Sequence, residues 1–141
     1  MERKFFIKTL GVSLATGSII SSCAAQDEKK ENSPLEIGGE SVIVHSVYFW
    51  LREDLTEEEQ KEFPQFFEAL KKVPGISAYR VGKPAPTTKR DVVDNSFSYH
   101  WLAFFENMDD INTYEKHPDH LAAAEKYSSY WTRVEVRDSL T

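Results

Sequence analysis

The sequence predicts one α+β domain, a two-layer sandwich whose elements run β-α-β-β-α-β. Three observations predict it. The chain has 141 residues, which suits a single domain. Segments dense in β-branched and aromatic residues alternate with segments of helical period, in that order. Nine Phe, six Tyr and three Trp supply enough large apolar side chains to fill a core, which excludes a wholly disordered chain.

Val42–Leu51 is β-branched and aromatic throughout and reads as the first strand. Thr56-Glu57-Glu58-Glu59 is a capping box, with Thr56 at the N-cap and Glu59 three residues on. Phe63, Phe66, Phe67, Leu70 and Val73 then recur at helical spacing. Pro64 lies inside that helix and is expected to kink it. Pro74-Gly75 ends it. Ile76–Val81 is the second strand. Residues 83–96, with Pro84, Pro86, Lys89 and Arg90, form a loop. Phe97–Phe105 is the third strand, Asp109–Lys116 a short helix, and Pro118 begins another that runs to about Ser129. Trp131–Asp138 is the last strand. This order is the ferredoxin-like split βαβ arrangement.

Alternation along the strands divides their side chains between two faces. Val42, Val44, Ser46, Tyr48 and Trp50 oppose Ile43, His45, Val47, Phe49 and Leu51. Phe97, Tyr99, Trp101, Ala103 and Phe105 oppose Ser98, His100, Leu102 and Phe104. Both faces are largely apolar, and one layer of helices covers only one of them. The other needs a second cover, most simply an identical sheet, so a homodimer closed face to face is expected, with Trp50 and Trp101 in its interface.

Residues 1–22 read as a signal peptide: a basic start with Arg3, Lys4 and Lys8, a short apolar stretch from Thr9 to Ile20, then small residues. Ile20-Ser21-Ser22-Cys23 resembles a bacterial lipobox, in which Cys23 is acylated and becomes the new N-terminus. Arg3-Lys4-Phe5-Phe6 also resembles a twin-arginine signal with Lys4 in place of the second arginine, so either export route is open. Residues 23–40 read as a lipidated tether, nearly all charged or amide from Gln26 to Ser33. The domain occupies 41–141. The expectation is an exported lipoprotein held to the cell-envelope membrane through Cys23.

Net charge is −6 for the whole chain, from 17 Lys+Arg and 23 Asp+Glu. Without residues 1–22 it is −8, from 14 and 22. This balance argues against a nucleic-acid partner bound through phosphates. A single cysteine leaves no internal disulfide and no cysteine-based zinc cluster.

The chemical interest lies in four histidines, His45, His100, His117 and His120. His45 and His100 are read onto strand faces shared with Val47, Phe49, Leu102 and Phe104. Asp138 alternates with Val134 and Val136 on the last strand. If that strand lies antiparallel beside the first, Asp138 falls near His45 and fixes its tautomer. Tyr114-Glu115-Lys116-His117-Pro118-Asp119-His120 is the densest cluster. Tyr114 and His117 are helical neighbours, and Pro118 restarts the chain so that His120 turns beneath them. An imidazole and a phenol beside an apolar cavity suit a general base and a hydrogen-bond donor. Metal or haem ligation is not expected, because strand spacing at roughly 3.4 Å per residue keeps His45 and His100 apart. No cofactor is expected.

Val44-His45-Ser46-Val47-Tyr48-Phe49, the glutamate-rich helix, Pro74-Gly75, Tyr99-His100, and Tyr114 with His117-Pro118-Asp119-His120 together resemble the stress-responsive dimeric α/β barrel (Dabb) family over about residues 42–139. The resemblance implies a dimeric ferredoxin-like fold. It also implies a possible chemistry, since a plant member is a polyketide cyclase that performs an aldol condensation with the Tyr and second His of its Tyr-x-x-His-Pro-x-His motif. Those positions are Tyr114 and His120 here. His45 and His100 match further cavity histidines, whereas Phe67 stands where the cyclase has a tyrosine.

The chain is therefore expected to bind a small apolar or aromatic molecule between sheet and helices. The expected lining is His45, Val47, Phe49, Phe63, Phe67, His100, Leu102, Phe104, His117, Trp131 and Asp138. An aldol-type enzyme with His120 as base and Tyr114 as donor is the alternative. A structural or interaction dimer without catalysis is the third reading.

Overall fold

The computed structural model describes residues 41–141. Strand β1 (Ile43–Leu51) leads to α1 (Glu57–Glu62) and α2 (Pro64–Leu70), then β2 (Ala78–Gly82) and β3 (Tyr99–Phe105). Helices α3 (Met108–Lys116) and α4 (Pro118–Tyr127) and a 3-10 turn at Ser128–Tyr130 precede β4 (Trp131–Leu140). The sheet order is β2-β3-β1-β4, with every neighbouring pair antiparallel. This is the ferredoxin-like arrangement expected from the sequence. The described residues form one compact unit. The expected signal peptide, Cys23 lipidation site and tether lie outside the described residues.

The Thr56 capping box is present: its hydroxyl accepts from the Glu59 N–H at 3.2 Å, and Glu59 accepts from the Thr56 N–H at 2.8 Å. Pro64 does more than kink the helix. It splits it, because proline has no N–H to continue the ladder and fits best at the first position of a new helix. Phe63, at the junction, is fully buried. Helix α2 then stops at Leu70 rather than Val73, although Val73 still packs into the core. Gly75 has φ +98°, and a Cβ there would lie 2.8 Å from the Asp110 carbonyl oxygen, so the turn out of α2 requires glycine.

Strand limits also differ. β3 begins at Tyr99, leaving Phe97 in the connection, and β4 continues to Leu140 because its last residues pair with Ile43 and Val44. Asn107 caps α3 by accepting from the Asp110 N–H at 2.9 Å.

The core lies between the sheet and the helices. Phe63, Phe66, Phe67 and Leu70 pack down on Phe49, Trp101 and Phe105, with Tyr114 and Tyr127 from the second helix pair beside them. The Phe49 ring meets Phe63, Phe66, Phe67 and Trp131 at 5.3–6.0 Å. Each such aromatic pair adds about 0.5–1.5 kcal/mol beyond its buried area.

Candidate functional site

Register decides which side chains share a face. Val47 pairs with Trp101, His45 with Ala103 and Phe49 with Tyr99, so these point together toward the helices. Tyr48 pairs with His100, Ser46 with Leu102 and Val44 with Phe104, and these point away. Three expected lining residues, His100, Leu102 and Phe104, are therefore on the opposite face from His45, Val47 and Phe49. Trp101 is likewise not on the outer face. It is fully buried beneath the helices. Alternation sorts each strand into two sets, but a one-residue change of register exchanges which sets meet.

A cavity of about 490 Å³ opens between the helix-side face and helices α2 and α4. His45, Val47, Phe49 and Trp131 of the expected lining border it, together with Tyr114 and His120. So do Phe66, Leu70, Trp101, Glu115, Ala124, Val134 and Val136, which sequence reasoning missed. Helical spacing held the signal for some of these: Phe66 and Leu70 are one turn apart on α2, as are His120 and Ala124 on α4. Phe63 and Phe67 do not line the cavity. They are core residues behind it.

His117 does not line it either. Its backbone is extended, as a residue before proline prefers, and its Nδ1 accepts from the Asp119 N–H at 3.2 Å. It caps α4 and thereby aims His120 at the sheet. Asp138 acts through a neighbour: one of its carboxylate oxygens lies 2.7 Å from Nδ1 of the buried His45. Accepting that N–H leaves the unprotonated ring nitrogen of a neutral His45 at Nε2.

The polar groups gather around Tyr114. Its ring centroid is 4.6 Å from that of His120 and 5.9 Å from that of His45. Burial pushes the Tyr114 phenol above its ordinary value of 10.0. The nearby Trp101 indole opposes that rise, and the Glu115 charge adds to it. Burial also holds the His120 imidazole below its ordinary 6.5. The Glu115 backbone and the Glu115 charge offset part of this, while His45 and His117 reinforce it. Burial thus favours the neutral form of His120, the state a base requires. Its Nδ1 is buried and has no hydrogen-bond partner among the described residues.

The outer face is built differently. Val44, Tyr48, Leu102 and Phe104 form its apolar centre, and the Tyr48 ring stacks on His100 at 4.4 Å. Arg133, Glu135 and Arg137 form an ion-paired row along β4. Part of the β2–β3 connection folds onto this side. The Trp50 indole N–H donates to the Ser96 hydroxyl at 2.8 Å, and Phe97 packs edge-on against Tyr48 at 5.1 Å. Among the described residues no group of three or more His, Cys, Asp or Glu is arranged to hold a metal ion, and no helix is long and apolar enough to cross a membrane.

The model of the stress responsive A/B barrel domain matches residues 43–140. No curated protein matches the sequence. Several solved structures share the fold. A dimeric ferredoxin-like protein of unknown function from Bacteroides fragilis is 25% identical with a TM-score of 0.55, covering 70% of this chain and 94% of its own. A Dabb family protein with a ferredoxin-like fold from Mesorhizobium loti is 20% identical at TM-score 0.58, covering 70% and 95%. A hydroxynitrile lyase from Passiflora edulis is 13% identical at TM-score 0.60, covering 71% and 93%.

Proposed function

The chain belongs to the stress responsive A/B barrel domain family, and from that premise we propose that its domain binds a small apolar or aromatic molecule in the cavity between sheet and helices. The observation that carries this reading is the cavity itself: about 490 Å³, walled by Phe49, Phe66, Trp101 and Trp131, with a few polar groups collected around Tyr114. Apolar walls with a small number of placed polar atoms are the usual form of a small-molecule site.

Binding of a panel of small aromatic compounds to residues 41–141 tests it, read by calorimetry or tryptophan fluorescence. Ala124→Trp, a half-buried lining position, is expected to fill part of the cavity and weaken binding at least about tenfold without unfolding the domain. Equal binding by both proteins would remove the cavity as the site.

A second reading is favoured by one feature, the contact between Tyr114 and His120, whose neutral form burial favours. In an aldol or lyase reaction His120 takes a proton next to a carbonyl while Tyr114 steadies the oxygen that gains charge. The fold shared with the Passiflora edulis hydroxynitrile lyase is compatible with it. Under this reading His120→Ala removes turnover and leaves binding of the panel largely intact.

The outer face is read as a homodimer interface. Its apolar centre and the description of the Bacteroides fragilis relative as dimeric support this. The whole protein is read as an exported lipoprotein acylated at Cys23, on its Ile20-Ser21-Ser22-Cys23 pattern. Cys23→Ser is expected to move it from the membrane fraction to the soluble fraction, and retention in the membrane would exclude the anchor.

A further inference from the structure

The cavity between sheet and helices has walls of two kinds. Phe49, Phe66, Leu70 and Tyr114 are buried at its back, and what water reaches is a rim. One part of that rim belongs to β4, with the half-buried Trp131 and the exposed Val134 and Val136. The other part is the exposed Glu115, near the end of α3, with the half-buried His120 and Ala124 of α4. The rim thus combines apolar surface with one carboxylate.

Among the described residues no cation answers Glu115. No Lys or Arg borders this cavity, whereas three other recesses of the described surface each hold at least one, among them Lys83, Lys126 and Arg137. Glu115 takes part in none of the ion pairs among the described residues. Arg133 and Arg137 pair with Glu135 on the outer face, and Lys126 pairs with Glu62. Lys116, the next residue, is turned about 100° around the helix. The Glu115 charge is felt in the cavity all the same: it adds to the rise of the Tyr114 phenol and counters the effect of burial on His120.

A cavity whose only Asp, Glu, Lys or Arg is one glutamate discriminates by the sign of its ligand's charge. It attracts a cation and repels a carboxylate. Aromatic walls add to the attraction, because the faces of their rings are electron-rich. Glu115 is exposed, so a charged head beside it keeps part of its water and avoids the full penalty of burial.

We propose that the ligand of this cavity is a cation with an apolar body, an alkyl- or aryl-ammonium, its body along Trp131, Val134 and Val136 and its head at Glu115. Glu115 is the residue that selects it and turns carboxylates away. The proposal rests on the cavity reading above and deepens it by naming the class of ligand.

The test uses three probes on residues 41–141 at pH 7 and low salt, with affinities from calorimetry. 2-Naphthylmethylammonium and 2-naphthoate share a ring system and each gives up water around a full charge, so their difference reads the sign of that charge. Naphthalene, uncharged, reads the cavity alone. The cation is expected to bind tightest, at least about tenfold tighter than the anion. Salt at about 0.5 M should shrink that ratio, because screening acts on an exposed carboxylate. Glu115→Gln keeps the size of an exposed side chain, loses the charge, and should bring the ratio to within about threefold. Asp91→Asn removes one negative charge from the exposed β2–β3 connection and should leave the ratio as it is.

A ratio within about threefold in the unaltered protein, or naphthalene binding tighter than the cation, overturns the charge assignment and leaves the apolar cavity standing. Failure of all three probes to bind overturns the cavity reading itself. A full preference kept by Glu115→Gln, or lost equally in Asp91→Asn, traces the preference to the net charge of the domain and removes Glu115 as its source.

Discussion

The two faces of the one sheet are made from similar residue types and do different work. Toward the helices, Phe49, Trp101 and Phe105 are sealed under α2 and its neighbours, and the space left over is a cavity with polar atoms at one end. Away from them, Tyr48, His100 and Leu102 are only half-buried, bordered by the charged row of β4 and by Phe97 of the connection. Apolar content therefore does not distinguish a core from an interface. The distinction comes from what lies within reach: helices joined to the sheet by short connections cover one face, while the other face is left without such a cover among the described residues.

The largest effect expected from breaking this comparison is on the helix side. Phe63 has no exposed surface and sits at the junction of α1 and α2, against Phe49, Phe66, Phe67 and Tyr99. Phe63→Ala should cost about 3–5 kcal/mol, the usual range for emptying a buried phenylalanine site, and lower the thermal midpoint by at least about 10 °C. A loss under about 1 kcal/mol in denaturant titration would mean that this layer is loosely packed.

The outer face should respond in the opposite way. Leu102 is half-buried in the single chain and central to the proposed interface. Leu102→Asp should leave the stability of the single chain nearly unchanged, within about 1 kcal/mol. It should weaken self-association by about 2 kcal/mol or more, roughly thirtyfold. Sedimentation over a concentration series reads this directly. A variant that associates as well as the unaltered protein would move the interface elsewhere.

The same comparison explains what was legible in the sequence. Element order follows from hydrophobic period and turn residues, and those are local properties. The nearness of His45 and Asp138 was legible too, because alternation on β4 and the usual adjacency of first and last strands both point to it. The pairing of β1 with β3 was not. Nothing near Tyr48 or His100 in the chain fixes that register, which is set by how the whole helical layer seats. That is why the strand pattern alone sets His100, Leu102 and Phe104 on the side of the candidate site and Trp101 in the interface, whereas the register does the reverse. Phe66 and Leu70 recur at helical spacing, and both are buried in the core. Whether a core residue also borders a void depends on side-chain packing across three elements, and a one-dimensional pattern carries no such information.

The smallest effect compares the two faces through their histidines. Burial lowers the pKa of both His100, on the outer face, and His120, in the cavity. The unfolded chain, with histidines near the ordinary 6.5, binds protons at a pH where these two in the folded chain do not. Stability from both is complete above about pH 6.5 and is lost as pH falls below it toward the depressed folded values. The charged groups facing His120 are Glu115, His45 and His117, so its loss is moderated by one carboxylate and sharpened by two imidazoles. His100 has only its burial to contend with. Thermal midpoints measured from about pH 8 down to about pH 5 should be flat and then fall, before most carboxylates titrate. His120→Asn should flatten part of that fall in single chains and associated ones alike. His100→Asn should flatten more of it at concentrations where the protein associates, because a second sheet laid over His100 withdraws it further from water. If the His100 contribution is independent of protein concentration, the outer face does not gain its cover from another copy of the chain.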